Sequence, residues 1–276
     1  MLHILTLNYN GKTKLEKLYP TLINSLNGIE YSWHIRDNGS SDNSIDLKNV
    51  WNNDSVIFSR INHNIDGFAT GCNYLFNIAS PNDNDLILLL NNDITFNDTN
   101  SIKNMISLVK NDQTIGVVGA KLNYTNTDKL QHAGVVIDRN RNLLPNHFRA
   151  NEIEDNNSRK NREFTAVTGA VLLTKALYYK DVSKNLHSGN RGMLETYFFC
   201  FEDVDLCYHI KYNLNKKIVF CGQTNIFHDE SYTLKQNNYN KLLFKQNIDT
   251  FLSRWKSKCI DDNQLYLENK NYNLYK

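Results

Sequence analysis

The residues best placed to do chemistry stand where apolar runs end. Leu86 to Ile94 reads LILLLNNDI, five aliphatic side chains running into Asn91, Asn92 and Asp93. An acid at that point can be an ordinary turn residue. It can also be a hard oxygen ligand for Mg²⁺ or Mn²⁺, ions that need only one or two protein carboxylates when phosphates supply the other oxygens. Asn91 and Asn92 add no charge, but they can hydrogen-bond sugar or ribose hydroxyls or position a metal-bound water. FEDVDL places Glu202 and Asp203 at the start of a helix. There the helix dipole favours carboxylates, and either could also serve as a base. VTGAVLL puts Thr168, Gly169 and Ala170 in a tight turn or at a close backbone approach. IFHDES leaves His228 after a late strand, as a buried hydrogen-bonding residue or a metal ligand.

The elements that would carry these residues alternate in the first half. HILTLNY, YSWHIRD, SVIFSR and DLILLL read as strands. Helical spacing covers 14–26, where Pro20 should kink or split the helix, then 68–79 and 101–110, with IGVVGAKL as a further strand. DLILLL is apolar throughout, as a strand covered on both faces must be. Strands separated by helices imply crossover units and a mainly parallel sheet, whose ligands sit beyond the carboxyl ends of its strands. Polar clusters stand at four successive strand ends: LNYNG (7–11), RDNGSSDNS (36–44), NHNIDGFATGCN (62–73) and NND (91–93). Any one of them is ordinary turn chemistry; four together point to a ligand site.

The second half is less regular. AGVVID and RNLLPNHF read as a hairpin, and 151–163 as a mobile polar loop. FTAVTGAVLLT gives strand, turn and strand; 202–212 is a short helix, KKIVFCG a strand, and 239–255 an amphipathic helix. From residue 231 onward eight Lys or Arg face four Asp or Glu. Such a helix either packs on the main domain, pairs two subunits or rests on an anionic membrane.

Composition bounds the rest. The chain has 276 residues, 41% hydrophobic content and a formal charge of +2, so nothing global points to nucleic acid. Neither a signal peptide nor a membrane-spanning run is legible. Five cysteines without a CxxC pair suit free thiols in a reducing cytosol. Cys200, Cys207, Cys221 and His228 match no usual zinc spacing.

In order along the chain, ILTLNYNG, DNGSSDNS, GFATGCN, LLLNNDI, VTGAVLL and FFCFEDVDLCYH resemble a family 2 glycosyltransferase of the GT-A fold, closest to the rhamnosyltransferase-like branch. The resemblance runs from Ile4 to about His228 and continues weakly into the helix at 239–255. It implies a Rossmann-like α/β fold with a mixed, mainly parallel sheet flanked by helices. The catalytic domain would span 1–230, with a nucleotide-binding half at about 1–120, an acceptor half at about 121–230, and a helical C-terminal extension at 231–276. It further implies inverting transfer of a sugar from a UDP- or dTDP-sugar, assisted by Mn²⁺ or Mg²⁺, to a glycan or lipid-linked acceptor in polysaccharide synthesis. The enzyme would be cytoplasmic, with peripheral membrane contact open, and a monomer or homodimer.

Residue by residue, the resemblance assigns Thr6, Asn8 and Tyr9 to the nucleotide, Asp37 to the pyrimidine N3–H, and Gly67, Phe68 and Asn73 to the segment beside the nucleotide. NND stands in place of the DxD-like motif. Asp93 becomes the metal ligand, and Asn91 or Asn92 the donor-sugar contact, with Asn92 also on the nucleotide side. Thr168, Gly169 and Ala170 lie beneath the acceptor. Asp203 becomes the base, Glu202 the acceptor-orienting residue and second candidate base, Asp205 a structural residue, and His228 a metal ligand or diphosphate contact. His209, where the family often has Arg, should pack or pair behind the site. Two readings compete. A sugar-1-phosphate nucleotidyltransferase should open on a Gly-rich basic loop, and LNYNGKTK has one Gly. An inactive glycan- or nucleotide-binding relative would have no use for Asp203.

Overall fold

The computed structural model describes residues 1–61, 66–182, 192–229 and 238–275. The first half alternates as its periodicity requires: β1 (Leu2–Asn8), α1 (Lys12–Ser25), β2 (Tyr31–Asp37), α2 (Leu47–Trp51), β3 (Val56–Arg60), α3 (Phe68–Ala79), β4 (Leu86–Leu90), β5 (Ile94–Phe96), α4 (Ser101–Asn111) and β6 (Ile115–Tyr124). The second half holds β7 (Leu130–His132), β8 (Val135–Asp138), β9 (Leu144–His147), β10 (Arg162–Phe164), β11 (Val171–Lys175), α5 (Ala176–Asp181), α6 (Glu202–Tyr212), β12 (Lys217–His228), α7 (Asn238–Trp255) and α8 (Asn263–Glu268).

The main sheet runs β10-β12-β6-β11-β4-β1-β2-β3. The β4-β1-β2-β3 half is parallel throughout. Antiparallel β11 is wedged between β4 and β6, and β12 continues parallel to β6. β8 and β9 form the expected hairpin as a separate two-stranded sheet.

Alternation along the central strands divides the core between the two faces. Ile4, Leu88 and Leu90 meet Leu15, Leu18 and Leu22 of α1 and Ile102, Met105, Ile106 and Val109 of α4. Leu5, Ile87 and Leu89 meet α3, α6 and α7. The apolar positions of α4 recur at i, i+3, i+4 and i+7, one helical stripe, and each buried side chain is worth about 1.5–3 kcal/mol. All five residues of β4 are buried, so Asn91, Asn92 and Asp93 emerge where the strand leaves a doubly covered core.

Several expectations change. Pro20 lies within α1, which runs unbroken past it. The 151–163 segment is a set of turns ending in β10 rather than a free loop. Arg149 donates to Glu152 and Asp155 (2.7 and 2.8 Å), and Lys121 and Arg159 donate to Glu154 (2.6 and 2.8 Å). β12 runs six residues past the expected KKIVFCG, with a register irregularity between Cys221 and Ile226. β5 and β7 were not visible in the sequence, because three residues are too few for a periodic signal.

α7 packs through Phe251 and Trp255, which contact Tyr208 of α6, while Leu242 and Phe244 are exposed. Arg254 and the Trp255 indole donate to the buried Asp205 carboxylate, as does the Tyr197 hydroxyl. Asp205 is thus a structural residue. His209 pairs with Asp181 at 3.2 Å. The five cysteines are unpaired. Among the described residues no helix is long and apolar enough to cross a membrane.

Candidate active site

Two clusters form at the carboxyl ends of the parallel strands, and a third faces them from α6. The first joins β1, β2 and β4. The Asn92 amide donates to Asn8 Oδ1 (2.8 Å), and Asn8 Nδ2 lies 3.5 Å from Asp37 Oδ1 and 3.4 Å from Ser40 Oγ. The Arg60 guanidinium stands 3.3 Å from the other Asp37 oxygen and donates to Ser40 O. Gly11 gives the turn after β1 room to cross this chain: a Cβ there would sit 2.3 Å from the Asn92 amide nitrogen and 2.4 Å from Asn8 Oδ1. Tyr9, at the same turn, is 44% exposed. Thr6 lies beneath it, fully buried, its hydroxyl accepting from the Trp33 indole (2.9 Å).

The second cluster is set by strand register. β12 pairs antiparallel with β5, and His228 falls opposite Ile94. That register brings His228 Nε2 to 3.1 Å from Asp93 Oδ1, while Lys14 Nζ of α1 stands 3.6 Å from Asp93 Oδ2. Asn91 Nδ2 lies 3.3 Å from the same imidazole nitrogen. The opposite nitrogen, His228 Nδ1, is 2.6 Å from Gln131 Oε1 of β7. A carboxylate oxygen and an imidazole nitrogen at this separation can share one divalent cation, so the donor set fits Mn²⁺ or Mg²⁺. Among the described residues no group of three or more His, Cys, Asp or Glu could hold a metal ion. A cation here therefore needs further oxygens from its ligand, as a diphosphate would supply.

The third cluster holds the carboxylates of α6. Gly169 N–H donates to Asp203 Oδ2 (2.6 Å), and Val204 N–H donates to Asp203 Oδ1 (2.8 Å). A Cβ on Gly169 would lie 3.0 Å from Asp203 Cβ, a contact tight enough that the Asp203 side chain would have to give by a few tenths of an ångström. Asn91 N–H donates to Ala170 O (2.9 Å), tying this turn to the end of β4. Thr168 N–H donates to the buried imidazole of His132 (3.3 Å).

Glu202 is buried, and its Oε2 has no hydrogen-bond partner among the described residues. Burial, reinforced by the neighbouring Asp203, raises its pKa well above the usual carboxylate range, so the group holds its proton. The chain reaches α6 through two consecutive left-handed residues, Cys200 (φ 63°) and Phe201 (φ 73°). For a residue as bulky as Phe this is a strained conformation, costing on the order of 1–3 kcal/mol. Packing of Phe201 against Phe244 and Phe251 holds it there.

Three assigned residues, Gly67, Phe68 and Asn73, make close contacts within the protein. Gly67 packs on the chain before α6: a Cβ would meet Phe198 O at 2.6 Å, and Phe68 N–H donates to that carbonyl (3.0 Å). Asn73 is fully buried and uses its amide on Met193 O, Glu195 Oε1, the Tyr179 hydroxyl and Met193 N–H. It braces the 192–195 segment. Of NHNIDGFATGCN, residues 62–65 lie outside the described residues. Lys14, Arg60, Gln131 and His132 were not singled out from sequence. They come from a helix, an edge strand and a three-residue strand whose convergence only the fold reveals.

This sheet, with one reversed strand at its centre and helices on both faces, is the GT-A fold. No protein-family model matches the chain, and no curated protein sequence matches it. Solved structures do. S. aureus TarS (residues 1–349) aligns at a TM-score of 0.54 with 11% identity, over 91% of this chain and 72% of that one. The mannosyltransferase PcManGT from Pyrobaculum calidifontis, in complex with GDP-Man and Mn²⁺, aligns at 0.57 with 10% identity, over 92% and 63%. GalNAc-T7 with UDP, GalNAc and Mn²⁺ aligns at 0.66 with 10% identity, over 93% and 50%. The chain thus spans between half and about seven-tenths of the length of these neighbours.

Proposed function

We propose that the chain is an inverting family 2 glycosyltransferase of the rhamnosyltransferase-like branch, taking its sugar from a UDP- or dTDP-sugar. The observation that carries this reading is the meeting of Asp93 and His228 at 3.1 Å at the end of β4, beside the Asn8–Asp37–Asn92 chain. A nucleotide would lie over β1 and β2, its base accepted by Asp37 and its ribose within reach of Asn92. Asp93 and His228 would hold Mn²⁺ or Mg²⁺, and Lys14 adds a positive charge on the other side of the Asp93 carboxylate. The bound ion would neutralise the diphosphate as it leaves. Asn91 would contact the donor sugar.

Asp203 is the proposed base. Displacement with inversion needs a carboxylate to take the acceptor hydroxyl's proton as the anomeric carbon is attacked. Gly169 N–H fixes one oxygen of that carboxylate over the 168–170 turn, where the acceptor would lie. Glu202, kept protonated by burial, is a poor base and a good hydrogen-bond donor, which favours the orienting role over the catalytic one. The acceptor is proposed to be a glycan or lipid-linked glycan of polysaccharide synthesis, met in the cytoplasm. Residues 1–230 would form the catalytic unit and 231–276 its extension.

The test is release of UDP or dTDP from a panel of UDP- and dTDP-sugars with Mn²⁺ present. Turnover of one donor, lost in Asp203→Asn with nucleotide affinity kept, supports the reading. Equal turnover in Asp203→Asn removes the base assignment.

A further inference from the structure

We infer that Gln131 is a positioning residue for the cation site, fixing which nitrogen of His228 faces Asp93. This rests on the reading of Asp93 and His228 as ligands of one ion. β7 is three residues long, and its pairing with β6 sets Gln131 beneath the end of β12. Gln131 is 5% exposed, and its Oε1 lies 2.6 Å from His228 Nδ1. An amide oxygen only accepts, so with Oε1 toward the ring Nδ1 carries the hydrogen. In the neutral ring Nε2 then keeps its lone pair. The Asn91 amide, 3.3 Å from Nε2, donates to that lone pair and agrees with the assignment. In this tautomer two electron-rich atoms, His228 Nε2 and Asp93 Oδ1, face each other at 3.1 Å. That arrangement is unfavourable by itself and favourable around a cation.

The opposite orientation of the Gln131 amide has the opposite consequence. With its NH₂ toward Nδ1, the hydrogen moves to Nε2, which then donates to Asp93. The pair would close into a hydrogen bond with no lone pair left for a metal. Gln131 therefore acts as a selector: a buried acceptor behind the imidazole keeps the front nitrogen free. Partners of this kind are worth about 10–100-fold in metal affinity.

The experiment is a titration of Mn²⁺ into wild type, Gln131→Leu and Gln131→Glu at saturating UDP, with free Mn²⁺ followed by electron paramagnetic resonance and folding checked by thermal melting. Leu matches the volume and cannot accept; it should weaken Mn²⁺ binding about 10–100-fold. Glu accepts and, when ionised, has no hydrogen to give, so it should bind Mn²⁺ at least as tightly as wild type. Mn²⁺ affinity unchanged in Gln131→Leu overturns the inference. Should the Leu variant melt early, the Glu variant decides: weaker Mn²⁺ binding there overturns it. Wild type that binds no Mn²⁺ with UDP refutes the cation site itself. Wild type that binds, alongside an indifferent Gln131→Leu, refutes only the role of Gln131.

Discussion

The side of the cleft proposed for the nucleotide and the side proposed for the acceptor are built on opposite principles. On the first, polar groups answer one another: Asn92 to Asn8, Asn8 to Asp37 and Ser40, Arg60 to Asp37. Neutral amides do most of the connecting, and each is anchored at the end of a parallel strand. On the second, a strained turn leads into a helix whose first residue is a buried carboxyl with one oxygen unpartnered. The difference teaches where each side gets its chemistry. A diphosphate brings its own charge and needs a ready-made cradle. An acceptor hydroxyl is neutral, so reactivity must come from the protein: Asp203 is the proposed base, and the buried Glu202 beside it is a hydrogen-bond donor held at a cost in stability.

Substitutions can break or sharpen this contrast. Asp203→Asn should cut donor turnover by about 10²–10⁴-fold, the usual worth of a positioned base, with nucleotide affinity by calorimetry nearly unchanged. A matching loss of affinity would merge the two sides. Asn73→Ala should lower unfolding free energy by about 2–4 kcal/mol in urea titrations, since it strands several buried partners. Nucleotide affinity in the folded variant should stay as it was; a selective loss would return Asn73 to the nucleotide side. Asp93→Ala should weaken Mn²⁺-dependent nucleotide binding by about 10–100-fold, as loss of a charged ligand does, and leave binding in EDTA little changed.

The smallest effect is one of pH. Glu202 has a raised folded pKa, so the folded protein keeps a proton that the unfolded chain gives up above about pH 4.3. Its contribution to stability is present below that value and is lost as pH rises toward the folded pKa. Glu202→Gln should flatten this decline by up to about 1.4 kcal/mol per pH unit. Parallel stability–pH curves for the two proteins between pH 5 and 7 would place the buried charge elsewhere.

Much of the first half was legible because its elements are long and their patterns distinct. Tyr31–Asp37 and Phe68–Ala79 have the bounds that their spacing predicts, and LILLL is buried along its whole length. The same logic placed Asp37, Asn92 and Asp93 at strand ends. What the sequence could not show depends on short or distant pairing. His228 meets Asp93 only through the register of β12 against β5, a strand of three residues. Gln131 and His132 sit on another strand of that length. Gly67 and Asn73 look like ligand residues in a motif, yet their close contacts are with Phe198, Met193 and Glu195. Pattern identifies polar residues beside a cleft; whether they face a ligand or brace a loop is a property of packing.

The central claim is that the strand ends form a cation-assisted site for a nucleotide diphosphate. It is tested most directly by calorimetric titration of the purified protein with UDP and with dTDP, each with Mn²⁺ and with EDTA. The account predicts binding of at least one of them that is strengthened by Mn²⁺, with the stronger ligand naming the donor class. Failure of both to bind with Mn²⁺ present would contradict it and return Asn91, Asn92 and Asp93 to the role of a turn at the end of a buried strand.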